Sequence, residues 1–334
     1  MWAGRVIESK RLVAEQFNNI SMILKNMKEN LWEEMSFEPE LEDKISAALD
    51  RRGVSAGKIS VSSSDGFSVT MDKVSCGENL VCSTTVASAL SEVLEVPMLR
   101  EKRECKDDIC HLKFSQQTRF ATDIAISQMP MNNSKGSGDS ALSFHIGNGK
   151  VAIILSDGMG SGDSAHFQSS IAIHLAKNLL CAGFDKETCV RLINNILMIN
   201  ADRDTFATID LCIVNLYTGS MEFVKTGAAN SYIKTNSENE TIYASSLPAG
   251  LIEFLEPNYD LRYINAGDYL IMASDGVTDI LDTPECNEIL KIADGFSGTA
   301  QELADNILNT AVSKSGGFAT DDMTVAVCAV LENM

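Results

Sequence analysis

The stretch Val151 to Gly162, VAIILSDGMGSG, narrows the fold more than any other part of the chain. Val151, Ala152, Ile153, Ile154 and Leu155 form an unbroken apolar run with the length and branching of a buried strand, and the run stops at Ser156-Asp157-Gly158. A carboxylate is thereby set at a strand end. Glycines at alternate positions 158, 160 and 162 let the backbone turn sharply, and Asp163-Ser164 offer capping side chains to an apolar-periodic segment that follows. The expected order is strand, acidic turn, helix.

The pattern recurs. In Asp268 to Gly276 another apolar run ends in Ser274-Asp275-Gly276, a third acidic group, Thr320-Asp321-Asp322-Met323-Thr324, precedes the last apolar run, and Gly138-Asp139-Ser140 precedes an earlier one. Asp-Gly is a common turn dipeptide, so any one of these has a purely structural explanation. Four together at strand ends point elsewhere: if the strands share one edge of a sandwich, the carboxylates converge, and like charges held that close need a cation. All-oxygen ligands favour hard ions such as Mg²⁺ or Mn²⁺, and two such ions acidify a water and hold a phosphoryl group for in-line attack. A dinucleotide loop is disfavoured, because G-x-G-x-G is not G-x-G-x-x-G and Asp157 would repel a pyrophosphate.

Composition limits the substrate. Against 27 Lys and Arg stand 46 Asp and Glu, a net −19, with no basic stripe, which argues against a nucleic-acid or anionic-membrane surface and hence against a nuclease or nucleotidyl transferase. With 334 residues, 45% of them hydrophobic, the chain can bury more than one core. Nine cysteines without paired short spacings read mostly as reduced core residues; Cys105, Cys110 and His111 cluster, but not at the spacing of a usual zinc site. No apolar run is long enough to span a bilayer.

Taken in order, residues 1–36 read as one long amphipathic helix with a heptad-like seam through Val6, Val13, Phe17, Ile20, Leu24, Met27 and Leu31, able to pack on its own domain or to dimerise. Residues 37–115 read as helix, strand, strand, helix, strand, a small α+β module without an acid–base constellation. Residues 116–334 alternate many antiparallel strands with helices that arrive in pairs, which fits two antiparallel sheets sandwiched between helix layers. The expected class is α+β.

SDGMGSG, SDGVTD and TDDMTV, with GDSALS upstream and KTGAANSYIK and LPAGLI between, resemble the PPM (PP2C-type) metal-dependent serine/threonine phosphatases, and closely their bacterial sporulation branch, the stage II sporulation protein E phosphatases, over about Arg119 to Leu331. The N-terminal helix and small module resemble that branch's cytosolic regulatory region. The resemblance implies an αββα sandwich with two Mn²⁺ or Mg²⁺ ions: Asp157 bridging both, the Gly158 carbonyl on one, Asp275 and Asp321 completing the other, Asp139 and Asp322 beside them. It implies no protein nucleophile, a metal-bridging hydroxide attacking phosphorus. It further implies a phosphorylated anti-anti-sigma factor of STAS type as substrate, control of a sporulation sigma factor, and a cytoplasmic fragment of a membrane-anchored protein; the heptad-like seam, with Phe17 and Leu24 in it, is expected to make a homodimer through the N-terminal helix. Met159 stands where many relatives carry a histidine proposed to protonate the leaving oxygen, so that either water is the acid or the serine leaves unassisted. His145, His166 and His174 fall on strand or helix patterns and read as packing or surface residues. The competing class is a catalytically silent scaffold, or pseudo-phosphatase, recruiting partners through its acidic surface.

Overall fold

The computed structural model describes residues 38–63, 66–74, 81–106, 109–131, 136–160, 162–199, 206–284 and 286–333. The long helix expected over 1–36, with Phe17 and Leu24, lies outside the described residues. The chain divides into two compact units, with the division between Thr118 and Arg119.

The first unit begins with α1 (Pro39–Asp50), where Pro39 takes the first helical position that needs no N–H. It continues through β1 (Ala56–Ser62), β2 (Ser68–Val74), α2 (Val81–Leu94), β3 (Met98–Lys106) and β4 (Ile109–Gln116). The strands form one antiparallel sheet in the order β1-β2-β4-β3. Ile45 and Leu49 of α1, Val86 and Leu90 of α2 and Val61, Val69, Leu112 and Phe114 of the sheet close a single core. Sequence reading missed β3. Its residues MLREKRECK are mostly charged, and the strand lies at the sheet edge, where Met98 turns into the core and Leu99 to Lys102 are exposed. Cys110 is disulfide-bonded and stands opposite Cys105 in the β3–β4 register, so it departs from the expectation of a reduced core thiol.

The second unit contains β5 (Phe120–Met129), β6 (Asp139–Gly147), β7 (Lys150–Asp157), α3 (Asp163–Cys181), α4 (Lys186–Ile199), β8 (Ile209–Asn215), β9 (Ser220–Thr226), β10 (Ser231–Lys234), β11 (Glu240–Ile242), β12 (Asn258–Tyr263) and β13 (Tyr269–Ala273). It ends with α5 (Asp275–Leu281), a two-residue ribbon of β14 (Asp282–Thr283) and β15 (Cys286–Asn287), α6 (Glu288–Ala293), α7 (Ala300–Lys314) and β16 (Met323–Glu332). Two five-stranded antiparallel sheets result, β12-β9-β8-β7-β6 and β11-β10-β13-β16-β5.

The central strands are apolar on both faces, and the period-2 alternation sorts their residues between two cores. Val151 and Ile153 of β7 meet Leu270, Met272, Ala326 and Cys328 between the sheets, whereas Ala152 and Ile154 turn outward onto Ala172, Ile173 and Ile193 of α3 and α4. On the other side, Ile271, Val325 and Val327 pack under Leu303, Ile307 and Ala311 of α7. The layers are therefore helices, sheet, sheet, helices: the αββα sandwich. Cys189, Cys212 and Cys328 are free and buried in these cores.

Candidate active site

The Ser-Asp-Gly copies are alike in how they are built. Each serine ties its strand to a neighbour: Ser156 Oγ donates to the Thr208 carbonyl at 2.6 Å, and Ser274 Oγ accepts from the Thr324 N–H at 2.9 Å while facing the Asp322 carbonyl at 3.3 Å. Each glycine allows a close approach. A Cβ on Gly158 would sit 2.0 Å from the Ala165 carbonyl oxygen of α3, and one on Gly276 would sit 2.3 Å from the Asp322 carbonyl oxygen. The aspartate between them is thus held by a hydroxyl on one side and a glycine contact on the other.

The copies differ in secondary structure. Asp157 is the last residue of β7, whereas Asp275 opens α5, with Ser274 at its N-cap; the sequence reading had a strand end in both places. Capping of α3 also departs from expectation. Gly162, at φ 75°, is the N-cap and makes no side-chain cap bond, because Asp163 is already the first helical residue.

The two sheets deliver the carboxylates. Asp139 and Asp157 are paired in the β6–β7 register, and Thr208 fixes Asp157 through both backbone atoms, its N–H donating to the Asp157 carbonyl and its Oγ1 accepting the Asp157 N–H, each at 2.8 Å. From the other sheet come Asp275, after β13, and Asp321 and Asp322, before β16. A polar bridge joins the halves: Thr324 Oγ1 of β16 donates to Asp139 Oδ2 at 2.7 Å, and the Gln128 amide of β5 donates to Thr324 Oγ1 and to the Asp139 carbonyl. Sequence reading gave no role to Thr208, Gln128 or Ser274, whose bonds cross between strands far apart in the chain.

Electrostatics reports the convergence. Burial, and then the charges of Asp139, Asp275 and Asp321, push Asp157 up to about 8. Burial is also the leading cause of the rise of Asp139 to about 7, opposed by the hydroxyls of Thr324 and Ser274 and reinforced by Asp322. Asp275 is raised by burial and then by Asp321 and Asp279. Asp139 is 2% exposed and its Oδ1 has no hydrogen-bond partner, an open acceptor inside an acidic cluster. Asp322 differs, since its two carboxylate oxygens accept the N–H groups of Met131 and Gly138 at 2.8 and 2.7 Å and so clamp the loop leading into β6.

Among the described residues no three His, Cys, Asp or Glu side chains stand in a metal-holding arrangement. The donor set nonetheless fits a hard divalent ion: carboxylate and carbonyl oxygens, one of them orphaned, whose repulsion a cation relieves. Met159 is half exposed beside Gly158, and His145, His166 and His174 are exposed on β6 and α3.

Paired antiparallel sheets between helix layers, with carboxylates from both sheets brought to one end, define the class: this is a PP2C-type serine/threonine phosphatase fold. A solved structure of the PP2C phosphatase domain and a fragment of the regulatory domain of the cell-fate determinant SpoIIE from Bacillus subtilis is similar over 98% of this chain and 97% of that one, with a TM-score of 0.75 and 28% identity. The chain belongs to the stage II sporulation protein E family, whose model matches residues 147–331 while the SpoIIE regulatory-domain model matches residues 1–116. Curated relatives called stage II sporulation protein E are 30% identical over 99% of the chain in Priestia megaterium and 27% identical over 98% in Bacillus subtilis (strain 168). The chain spans 58% and 41% of the length of those two proteins.

Proposed function

We propose that this chain is a metal-dependent protein serine phosphatase that removes the phosphate from a phosphoserine of a STAS-type anti-anti-sigma factor and thereby controls a sporulation sigma factor. The observation that carries the reading is geometric: Asp157 is paired with Asp139 at the end of one sheet, Asp139 Oδ1 has no partner, and Asp275 and Asp321 from the other sheet come close enough for their charges to raise Asp157. Asp157, the Gly158 carbonyl, Asp275 and Asp321 would hold two Mn²⁺ or Mg²⁺ ions, with Asp139 and Asp322 beside them. Bound there, the ions supply Lewis-acid activation of water and charge neutralisation at the phosphoryl group.

The chain's own residues position and exclude. Thr208 and Ser156 fix the end of β7, Ser274 and Thr324 fix the β13–β16 side, and Asp322 holds the loop before β6 against the site. Met159 offers no proton at the site, so the leaving serine oxygen takes its proton from water. The family's metal dependence and the intact acidic motifs support this reading over a silent scaffold.

The same reading assigns residues 1–36 to a linker helix that dimerises through Phe17 and Leu24, 37–115 to a regulatory module and 116–334 to the phosphatase domain. It sets this part in the cytoplasm, below a membrane anchor elsewhere in a longer protein. Support for that is the resemblance; among the described residues no helix is long and apolar enough to cross a membrane. The test is phosphate release from the phosphorylated anti-anti-sigma factor, expected with Mn²⁺ or Mg²⁺ and abolished by EDTA; release unaffected by EDTA would refute the metal-dependent reading.

A further inference from the structure

Four large apolar side chains stand exposed within eight residues: Leu247, Leu251, Ile252 and Phe254, the last 83% exposed. Their segment has almost no regular structure, yet it is fastened at several points. Pro248 is packed on Gly227, whose Cβ would come within 2.5 Å of the Pro248 ring, and the Gly227 N–H donates to the Ser246 carbonyl. Ala249 and Leu255 turn inward onto the core under α3 and α4. Asn194 of α4, 2% exposed, accepts the Gly250 N–H at 2.7 Å and donates to the Ile252 and Glu253 carbonyls. A loop held this firmly loses little freedom when something binds it, and clustered apolar side chains on a monomer mark a contact surface.

Its position identifies the occupant. Ala207 bridges Gly158 on one side and Ala249 on the other, and the Ala207–Ala249 bonds are 3.0 and 2.9 Å. Two such steps of about 4.8 Å put Ala249 about 10 Å from the Gly158 backbone, the span of about three residues of extended chain. Residues flanking a phosphoserine seated at Asp157 therefore reach this segment, and a small phosphate ester does not. Charge does not provide the affinity, since the chain carries −19 and the partner arrives with a phosphate.

We infer that Leu247, Leu251, Ile252 and Phe254 form the docking surface for the phosphoprotein substrate, gripping apolar side chains that flank its phosphoserine. This rests on the phosphatase reading and adds what holds the protein substrate. The test compares the wild type with the double variant Leu251→Ser/Phe254→Ser, using p-nitrophenyl phosphate and the phosphorylated anti-anti-sigma factor, each with Mn²⁺. Expected is an unchanged rate on p-nitrophenyl phosphate and a kcat/KM on the phosphoprotein lowered at least about 10-fold through KM, as removal of two buried apolar contacts implies. An unchanged phosphoprotein kcat/KM would overturn the docking surface, as would equal losses on both substrates, which would make the segment structural, or a change confined to oligomeric state, which would assign it to a second copy of the chain. A wild type inactive on both substrates would instead remove the phosphatase reading itself.

Discussion

Asp139 and Asp157 face each other across the β6–β7 ladder, so the fold itself holds two acidic side chains side by side at the end of one sheet. Burial raises both, to about 7 and about 8, reinforced at Asp139 by the charge of Asp322 and at Asp157 by the charges of Asp139, Asp275 and Asp321. A carboxylate whose pKa is higher folded than unfolded binds more protons in the native state, so it costs stability as pH rises from the ordinary value of 3.8 through the folded value. The metal-free protein should therefore lose stability between about pH 4 and pH 8, and metal binding should release protons and strengthen over the same window. Melting curves with Mn²⁺ and with EDTA should diverge as pH rises from about 5.5 to about 8. Curves that stay parallel or converge would show that these carboxylates do not share a cation.

Gly158 packs against α3 with no room for a methyl group. Gly158→Ala should destabilise the protein by about 1–3 kcal/mol, the usual penalty of overpacking, and reduce phosphate release more than stability alone explains, because the strand end must move. Gly136→Ala, where nothing lies within 4 Å of the added carbon, is the matched control and should be near neutral in both urea denaturation and activity.

Between the sheets Lys225 and Asp210 form a fully buried pair at 2.6 Å, with Ser231 Oγ accepting from the lysine and donating to the carboxylate. Asp210 Oδ1 has no partner, and burial lowers the Lys225 pKa against the pull of Asp210. Lys225→Met leaves a buried carboxylate alone and should cost about 3–5 kcal/mol in urea denaturation, while Lys225→Met/Asp210→Val should recover most of the loss. A double variant no better than the single one would mean that the pair is not the source of the penalty.

On the proposed reading, Phe17→Asp/Leu24→Asp breaks the seam of a dimerising helix over residues 1–36, and light scattering should report a monomer for this variant and a dimer for the unaltered chain. An unchanged mass would exclude the helix as the dimer contact.

What could be read from the sequence follows from where each signal resides. Strands β7, β13 and β16 announce themselves, because two apolar faces make continuous hydrophobic runs, and Asp157, Asp275 and Asp321 stand out because they interrupt those runs. Edge strand β3 carries no such pattern, being charged and exposed. The short helix α5 is hidden behind Asp275-Gly276, a dipeptide that reads equally well as a turn or as a helix start. Least legible are the ties across the sandwich. Thr324 reaches Asp139, and β16 pairs with β5 about 200 residues earlier in the chain; nothing local in either segment encodes the meeting. The buried Lys225 is invisible for the same reason, as its partners lie on β8 and β10.

The most direct measurement is phosphate release from the phosphorylated anti-anti-sigma factor by the wild type, Asp157→Ala and Asp275→Ala, each with Mn²⁺ and with EDTA. The wild type should be active only with metal, and each substitution should lower its rate at least about 100-fold, the scale on which loss of one preorganised electrostatic contact is felt. Metal-independent release, or folded variants that keep the wild-type rate, would contradict the assignment of a metal centre to these carboxylates.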